Sequence, residues 1–91
     1  ITFYRDSQEV YYQSKSISLT KREFDLLYLL AKNENRIFSA EELYDYLYPV
    51  SSDVQLRSIT EYIYQIRQKF KAHQIDPIKT VWGGGYKWQK K

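Results

Sequence analysis

Ile59, Ile63, Ile66 and Phe70 recur at steps of four, three and four, and this stripe constrains the chain more than any other stretch. The spacing is one face of a helix of about 3.6 residues per turn. A helix from about Asp53 to Lys71 must therefore press that face on a core. Away from the stripe lie Arg57, Ser58, Glu61, Gln65 and Gln68, joined by Tyr64. These are forked or hydroxyl-bearing groups, less charged than a helix built only to be solvated would carry. Ser58, Glu61, Tyr62 and Gln65 fall at i, i+3, i+4 and i+7 and project together toward whatever the helix meets. Two readings stand at this point: a helix that reads base edges in a major groove, or an ordinary amphipathic helix with a solvated face.

A chain of 91 residues is expected to be one domain, 1–91, near the lower end of sizes that bury a self-sufficient core. It contains no cysteine, which excludes disulfides and thiolate zinc sites and permits a reducing cytoplasm. His73 is the single histidine, too few for a multi-histidine metal site, and is expected at the surface. Nothing pairs a nucleophile with a base, so no catalytic residue, cofactor or metal is expected and the chain does not read as an enzyme. No apolar run approaches the ~18 residues of a membrane span, and no leader-like segment opens the chain. The abrupt start at Ile1 suggests a piece of a longer protein.

Charge is divided unevenly. Residues 1–53 carry six Lys/Arg against nine Asp/Glu, a net of −3, and residues 54–91 carry eight against two, a net of +6. Clustered positive charge on a modest total is what a phosphate backbone selects, although a charge run is also a common solvated face.

In chain order, Ile1–Tyr4, Val10–Tyr12, Ile17 and Leu19 are strand-like and separated by polar turns, giving three or four short antiparallel strands. So small a sheet must cover its face with the helices that follow. Thr20 and Glu23 form a capping box that opens a first helix, crowded with Phe24, Leu26, Leu27, Leu29, Leu30 and Ala31 on more than one face and ending near Asn33 to Asn35. Ser39 and Glu42 repeat the signature for a short helix from about Ala40 to Tyr48, with Leu43 and Leu47 inward and Pro49 as its stop. The loop Pro49 to Ser52 leads to a cap at Ser52 or Asp53 and the striped helix. Beyond a polar connector, Ile78–Trp82 and Tyr86–Gln89 flank Gly83, Gly84 and Gly85 as a hairpin. The glycines lack the strand-to-helix setting and the Lys-Ser/Thr of a phosphate loop.

Small sheet, helix, short helix, turn, longer helix and hairpin describe an α+β winged helix-turn-helix, with an N-terminal antiparallel β-sheet, three helices and a C-terminal β-hairpin wing. The chain resembles, over essentially its whole length, the effector domain of OmpR/PhoB-type response regulators. The resemblance rests on Leu19-Thr20-Lys21-Arg22-Glu23-Phe24 with Leu26-Leu27, and on Arg36-Ile37-Phe38-Ser39 with Glu42-Leu43. It continues in Arg57-Ser58-Ile59 leading to Ile63, Ile66-Arg67 and Phe70, and in Thr80-Val81-Trp82-Gly83-Gly84-Gly85-Tyr86-Lys87-Trp88.

The resemblance implies sequence-specific binding of double-stranded DNA by a cytoplasmic bacterial transcription regulator, with helix 53–71 in the major groove and hairpin 78–89 as wing. By position it implies base contacts from Ser58, Glu61, Tyr62 and Gln65, and backbone contacts from Arg57, Tyr64, Arg67, Tyr48, Thr80 and Trp82. It further implies an N-terminal receiver domain outside this chain, dimers on tandem DNA sites, and contact of the 49–52 loop with RNA polymerase. Chemistry supports part of this independently: Gln can pair bidentately with adenine and Glu can accept from the cytosine amino group. The family often carries Arg where Tyr64, Gln65 and Trp82 stand, and Trp where Tyr48 stands. Tyr62 can serve the core stripe or reach a base, and Tyr86 and Trp88 are expected to pack within the hairpin. A winged-helix protein-interaction module that does not bind DNA is the alternative.

Overall fold

The computed structural model describes residues 1–48 and 57–89. The 49–52 loop, the cap at Ser52 or Asp53 and the first turn expected for the third helix lie outside the described residues, as does the side chain of Arg57. Three strands come first: β1 (Thr2–Tyr4), β2 (Glu9–Tyr12) and β3 (Lys15–Ile17). They form an antiparallel sheet in that order, with Phe3 opposite Val10 and Val10 opposite Ile17. Leu19, placed in the strand region from sequence, lies beyond β3. Gln13 and Ser14 join β2 to β3 with φ of 49° and 67°. Two positive φ angles in a two-residue loop match the twist of the flanking strands.

Helix α1 (Lys21–Lys32) begins at Thr20, whose hydroxyl accepts from the Glu23 amide while the Glu23 carboxylate accepts from the Thr20 amide. Helix α2 (Ala40–Leu47) repeats the arrangement with Ser39 and Glu42. It stops one residue short of the sequence estimate, with Tyr48 as its C-cap. Helix α3 (Arg57–Lys71) is followed by the antiparallel hairpin β4 (Ile78–Val81) and β5 (Gly85–Trp88). The hairpin strand ends before Trp82, which lies in the turn.

The apolar stripe of α3 is buried as its spacing requires, together with Phe24, Leu26, Leu27 and Leu30 of α1, Leu43 and Leu47 of α2, and Val10 and Ile17 of the sheet. Each fully buried side chain of this size stabilises the fold by about 1.5–3 kcal/mol relative to exposure. Helix α1 is the central element, touching α2, α3 and β5. Its crowding with leucines on two faces follows from that position. Phe38, just before α2, exchanges both backbone hydrogen bonds with Tyr86 at 2.8 Å, which joins the hairpin to the helical body. Tyr86 and Trp88 pack against the core, Trp88 with its ring 6.1 Å from that of Phe3. No helix among the described residues is long and apolar enough to cross a membrane.

Candidate nucleic-acid interface

Because successive residues of a helix turn by about 100°, the groups beside the buried stripe of α3 fall on two flanks and an outward face. The flank toward α1 and α2 carries Ser58, Tyr62 and Lys69. The Ser58 hydroxyl is buried and without a hydrogen-bond partner among the described residues. Tyr62 is half-buried, and its hydroxyl shares a short hydrogen bond with that of Tyr48 at the end of α2. Burial first, and then this bond, pushes the Tyr62 phenol up to about 12. Arg22 of α1 lies over the Tyr48 ring at 4.6 Å and donates through Nη1 to the Leu47 carbonyl at 2.5 Å, so a cation faces the carbonyl end of α2. Lys69 donates to Glu23 Oε1 at 2.5 Å; the buried carboxylate thus serves both the α1 cap and the far half of α3.

The opposite flank meets the hairpin through Arg67. Its Nε donates to Asp76 Oδ1 at 3.3 Å, and its Nη2 to the Ile78 carbonyl at 2.7 Å and to Thr80 Oγ1 at 2.9 Å. Asp76 Oδ1 also accepts from the Ile78 amide, which fixes the start of β4. Arg67 and Thr80, both expected on the DNA backbone, therefore hold one another, and they set the angle between α3 and the wing.

What remains outward on α3 is Thr60, Glu61, Tyr64 and Gln68, all exposed, with Gln65 half-exposed beside them. Gln65 Nε2 donates to Glu61 Oε1 at 2.9 Å, so two of the four residues expected at base edges form one unit. The other two, Ser58 and Tyr62, turn their hydroxyls inward. Thr60 completes the outward face; its place one turn before Tyr64 was the available signal. At the hairpin tip Trp82 is 94% exposed, packing on neither the hairpin nor the helices. Gly84 closes the turn by donating to the Val81 carbonyl at 2.9 Å. Lys79 and Lys87 stand directly opposite across β4 and β5. Like charges in that relation disfavour the pair unless an anion is near, and only the register of the glycine turn could have revealed them. Both flanks and the hairpin come from the half of the chain that carries the net +6.

Residues 14–88 match the family described as "Transcriptional regulatory protein, C terminal". The chain is 47% identical over 88 residues to the nisin biosynthesis regulatory protein NisR of Lactococcus lactis subsp. lactis, covering 97% of this chain and 38% of that protein. It is 44% identical over 87 residues to the transcriptional regulatory protein SpaR of Bacillus subtilis, covering 96% of this chain and 40% of that protein. The chain thus spans about two fifths of the length of these relatives. Among solved structures, the RstA DNA-binding domain of Klebsiella pneumoniae, in complex with the RstA box, superposes with a TM-score of 0.79 at 27% identity, covering 97% of this chain and 94% of that one. By its sequence match, its relatives and its winged-helix fold, the chain belongs to the OmpR/PhoB-type family of transcriptional regulatory protein C-terminal domains.

Proposed function

We infer that this domain binds double-stranded DNA sequence-specifically, as the effector part of a two-component-type transcription regulator, with α3 in the major groove and the β4–β5 hairpin over the adjacent minor groove. The observation that carries this reading is the outward face of α3. Thr60, Glu61, Tyr64 and Gln68 stand in solvent with Gln65 half-exposed beside them, while both flanks of the helix are fastened, one to α2 through Tyr48 and the other to the hairpin through Arg67. A helix so held presents polar groups at a fixed angle, on the basic half of the chain, which also carries the projecting Trp82. The major groove is about 12 Å wide and admits one such helix. The RstA DNA-binding domain, of similar fold, was solved in complex with the RstA box.

The finer parts of the reading rest on family membership and on the two-fifths coverage of NisR and SpaR. In the full-length protein an N-terminal receiver domain precedes this one, two copies occupy direct repeats, and the 49–52 loop meets RNA polymerase in the bacterial cytoplasm. No catalytic step is assigned to the domain. Selection from random duplexes, followed by affinity measurement across salt concentrations, tests the reading. A defined motif and a steep fall of affinity with salt are expected. Failure to enrich any sequence, together with salt-insensitive affinity, would overturn it in favour of a protein-interaction role.

A further inference from the structure

We propose that Glu61 is a positioning residue that fixes the amide of Gln65 in one orientation, so that the two together select adenine over guanine at one base pair and an amino-bearing base beside it. The proposal rests on the DNA-binding reading above and deepens it.

The ionised carboxylate of Glu61 has no proton to give and can only accept. The amide end that lies 2.9 Å from Glu61 Oε1 must therefore be Nε2, and the Gln65 carbonyl points the other way. One N–H is engaged by Glu61. The second N–H and the carbonyl oxygen remain, a donor and an acceptor on one fork, and adenine presents their complement as N7 and the N6 amino group. An unrestrained glutamine can turn its amide round and donate to O6 or N7 of guanine instead. In this pair the turned amide would set carbonyl oxygen against carboxylate oxygen, which forfeits the bond and adds repulsion. Glu61 thus opposes guanine through Gln65, by penalising the amide orientation that guanine would require. Its remaining oxygen, Oε2, can accept from the amino group of cytosine or adenine at the neighbouring position. The pair occupies one turn of helix on the outward face, and the spacing of i to i+4 lets a single backbone hold both groups in register.

The preorganisation has a benefit that a lone glutamine lacks: the side chain enters the groove with its rotamer already restrained, so less entropy is lost on binding. It also has a cost, since a carboxylate facing a polyanion weakens attraction at every sequence alike. The net result is discrimination gained at the expense of general affinity.

Site selection with the wild-type domain and with the Gln65→Ala, Glu61→Ala, Glu61→Gln and double-alanine variants tests this. Thermal melting should show all five folded, since both side chains lie on the outward face. In Gln65→Ala the adenine preference at one base pair should vanish. Glu61→Ala, with Gln65 intact, should lower the adenine-to-guanine ratio at that same base pair by about five- to a hundredfold, the range of one good bidentate contact. The double variant should lose no more there than Gln65→Ala alone, the signature of coupled residues. Glu61→Gln should fall between wild type and Glu61→Ala, because its carbonyl can accept the same bond but its amide can swing round; it should also relax the neighbouring preference for an amino-bearing base. An unchanged adenine-to-guanine ratio in Glu61→Ala would overturn the proposal while leaving DNA binding in place. If the wild-type domain selects no motif, the DNA-binding reading itself fails and takes this inference with it.

Discussion

The Arg67 guanidinium and the Thr80 hydroxyl, 13 residues apart in sequence, meet at 2.9 Å, and the same Nη2 reaches the Ile78 carbonyl at 2.7 Å. The contact joins the presented helix to its wing. A cation of α3 that looks available for phosphate is thus engaged within the protein, and this changes what its removal should do. Arg67→Ala should lower stability by about 1–2 kcal/mol, less than a fully buried charged network would lose because the side chain is 30% exposed. Arg67→Lys should recover little, since an ammonium cannot reproduce the guanidinium fork. Affinity for all duplexes should fall as the wing loosens, but the slope of log affinity against log salt should stay the same. A slope reduced by about one unit with stability intact would instead identify a phosphate contact. Urea unfolding and salt-dependent binding of the same variants measure both.

The hydroxyl pair of Tyr48 and Tyr62 makes stability fall in alkali. Burial and the shared hydrogen bond hold the Tyr62 phenol at about 12 in the folded chain, above its ordinary value of 10.0. Below pH 10 both folded and unfolded forms keep the proton, and the contribution is fully present. Between pH 10 and about 12 the unfolded chain ionises first, so unfolding gains and stability drops. The comparison is made against Tyr62→Phe, which lacks this hydroxyl and leaves every other group in place. The variant should show a shallower loss across that window, and superimposable curves would show that the pair does not control it.

Gly85 should tolerate nothing larger. Its φ is +128°, and a Cβ built there would lie 2.0 Å from the Phe38 carbonyl oxygen, inside the bridge that ties the hairpin to the body. Gly85→Ala should cost about 3 kcal/mol or more, from backbone strain plus displacement of the bridge. Gly83 is the control: its φ is +80° but a Cβ there meets nothing within 4 Å. Gly83→Ala should cost only about 1–2 kcal/mol, from backbone conformation alone. Equal midpoints of denaturation for the two variants would refute the steric argument.

Trp82 separates affinity from stability. At 94% exposure it packs on nothing, so Trp82→Ala should leave the melting temperature unchanged within the ~0.5 kcal/mol typical of surface changes. Duplex affinity should nevertheless fall, because the exposed indole projects from the tip of the wing. Trp82→Arg should tighten binding and add an A·T preference in the flanking sequence, since a guanidinium is drawn to a narrow, negative minor groove. Flanks that remain random in that variant would argue that the wing does not sit in a minor groove.

Wherever a short stretch of chain holds both partners of an interaction, the local pattern of residues was enough to set the outcome. Thr20 with Glu23 and Ser39 with Glu42 lie within one turn and set two helix starts whatever surrounds them. The spacing of Ile59, Ile63, Ile66 and Phe70 dictated which side of α3 is buried, and three glycines between β-prone runs dictated a hairpin. The outward placement of Glu61 and Gln65 also followed from helical period alone. Tertiary structure decided which polar residues are already engaged. Tyr48 and Tyr62 are 14 residues apart, Arg67 and Ile78 are 11 apart, and Glu23 and Lys69 are 46 apart, and each pair meets only because α1, α2, α3 and the hairpin pack at particular angles. Periodicity fixes the direction in which a side chain leaves its helix, but not whether a neighbouring element waits there. Tyr62 leaves α3 toward the end of α2 and Arg67 leaves it toward β4, whereas Trp82 projects from the hairpin into solvent. The difference between a group that shapes the fold and one left free for a partner was therefore set by the packing of elements distant in sequence.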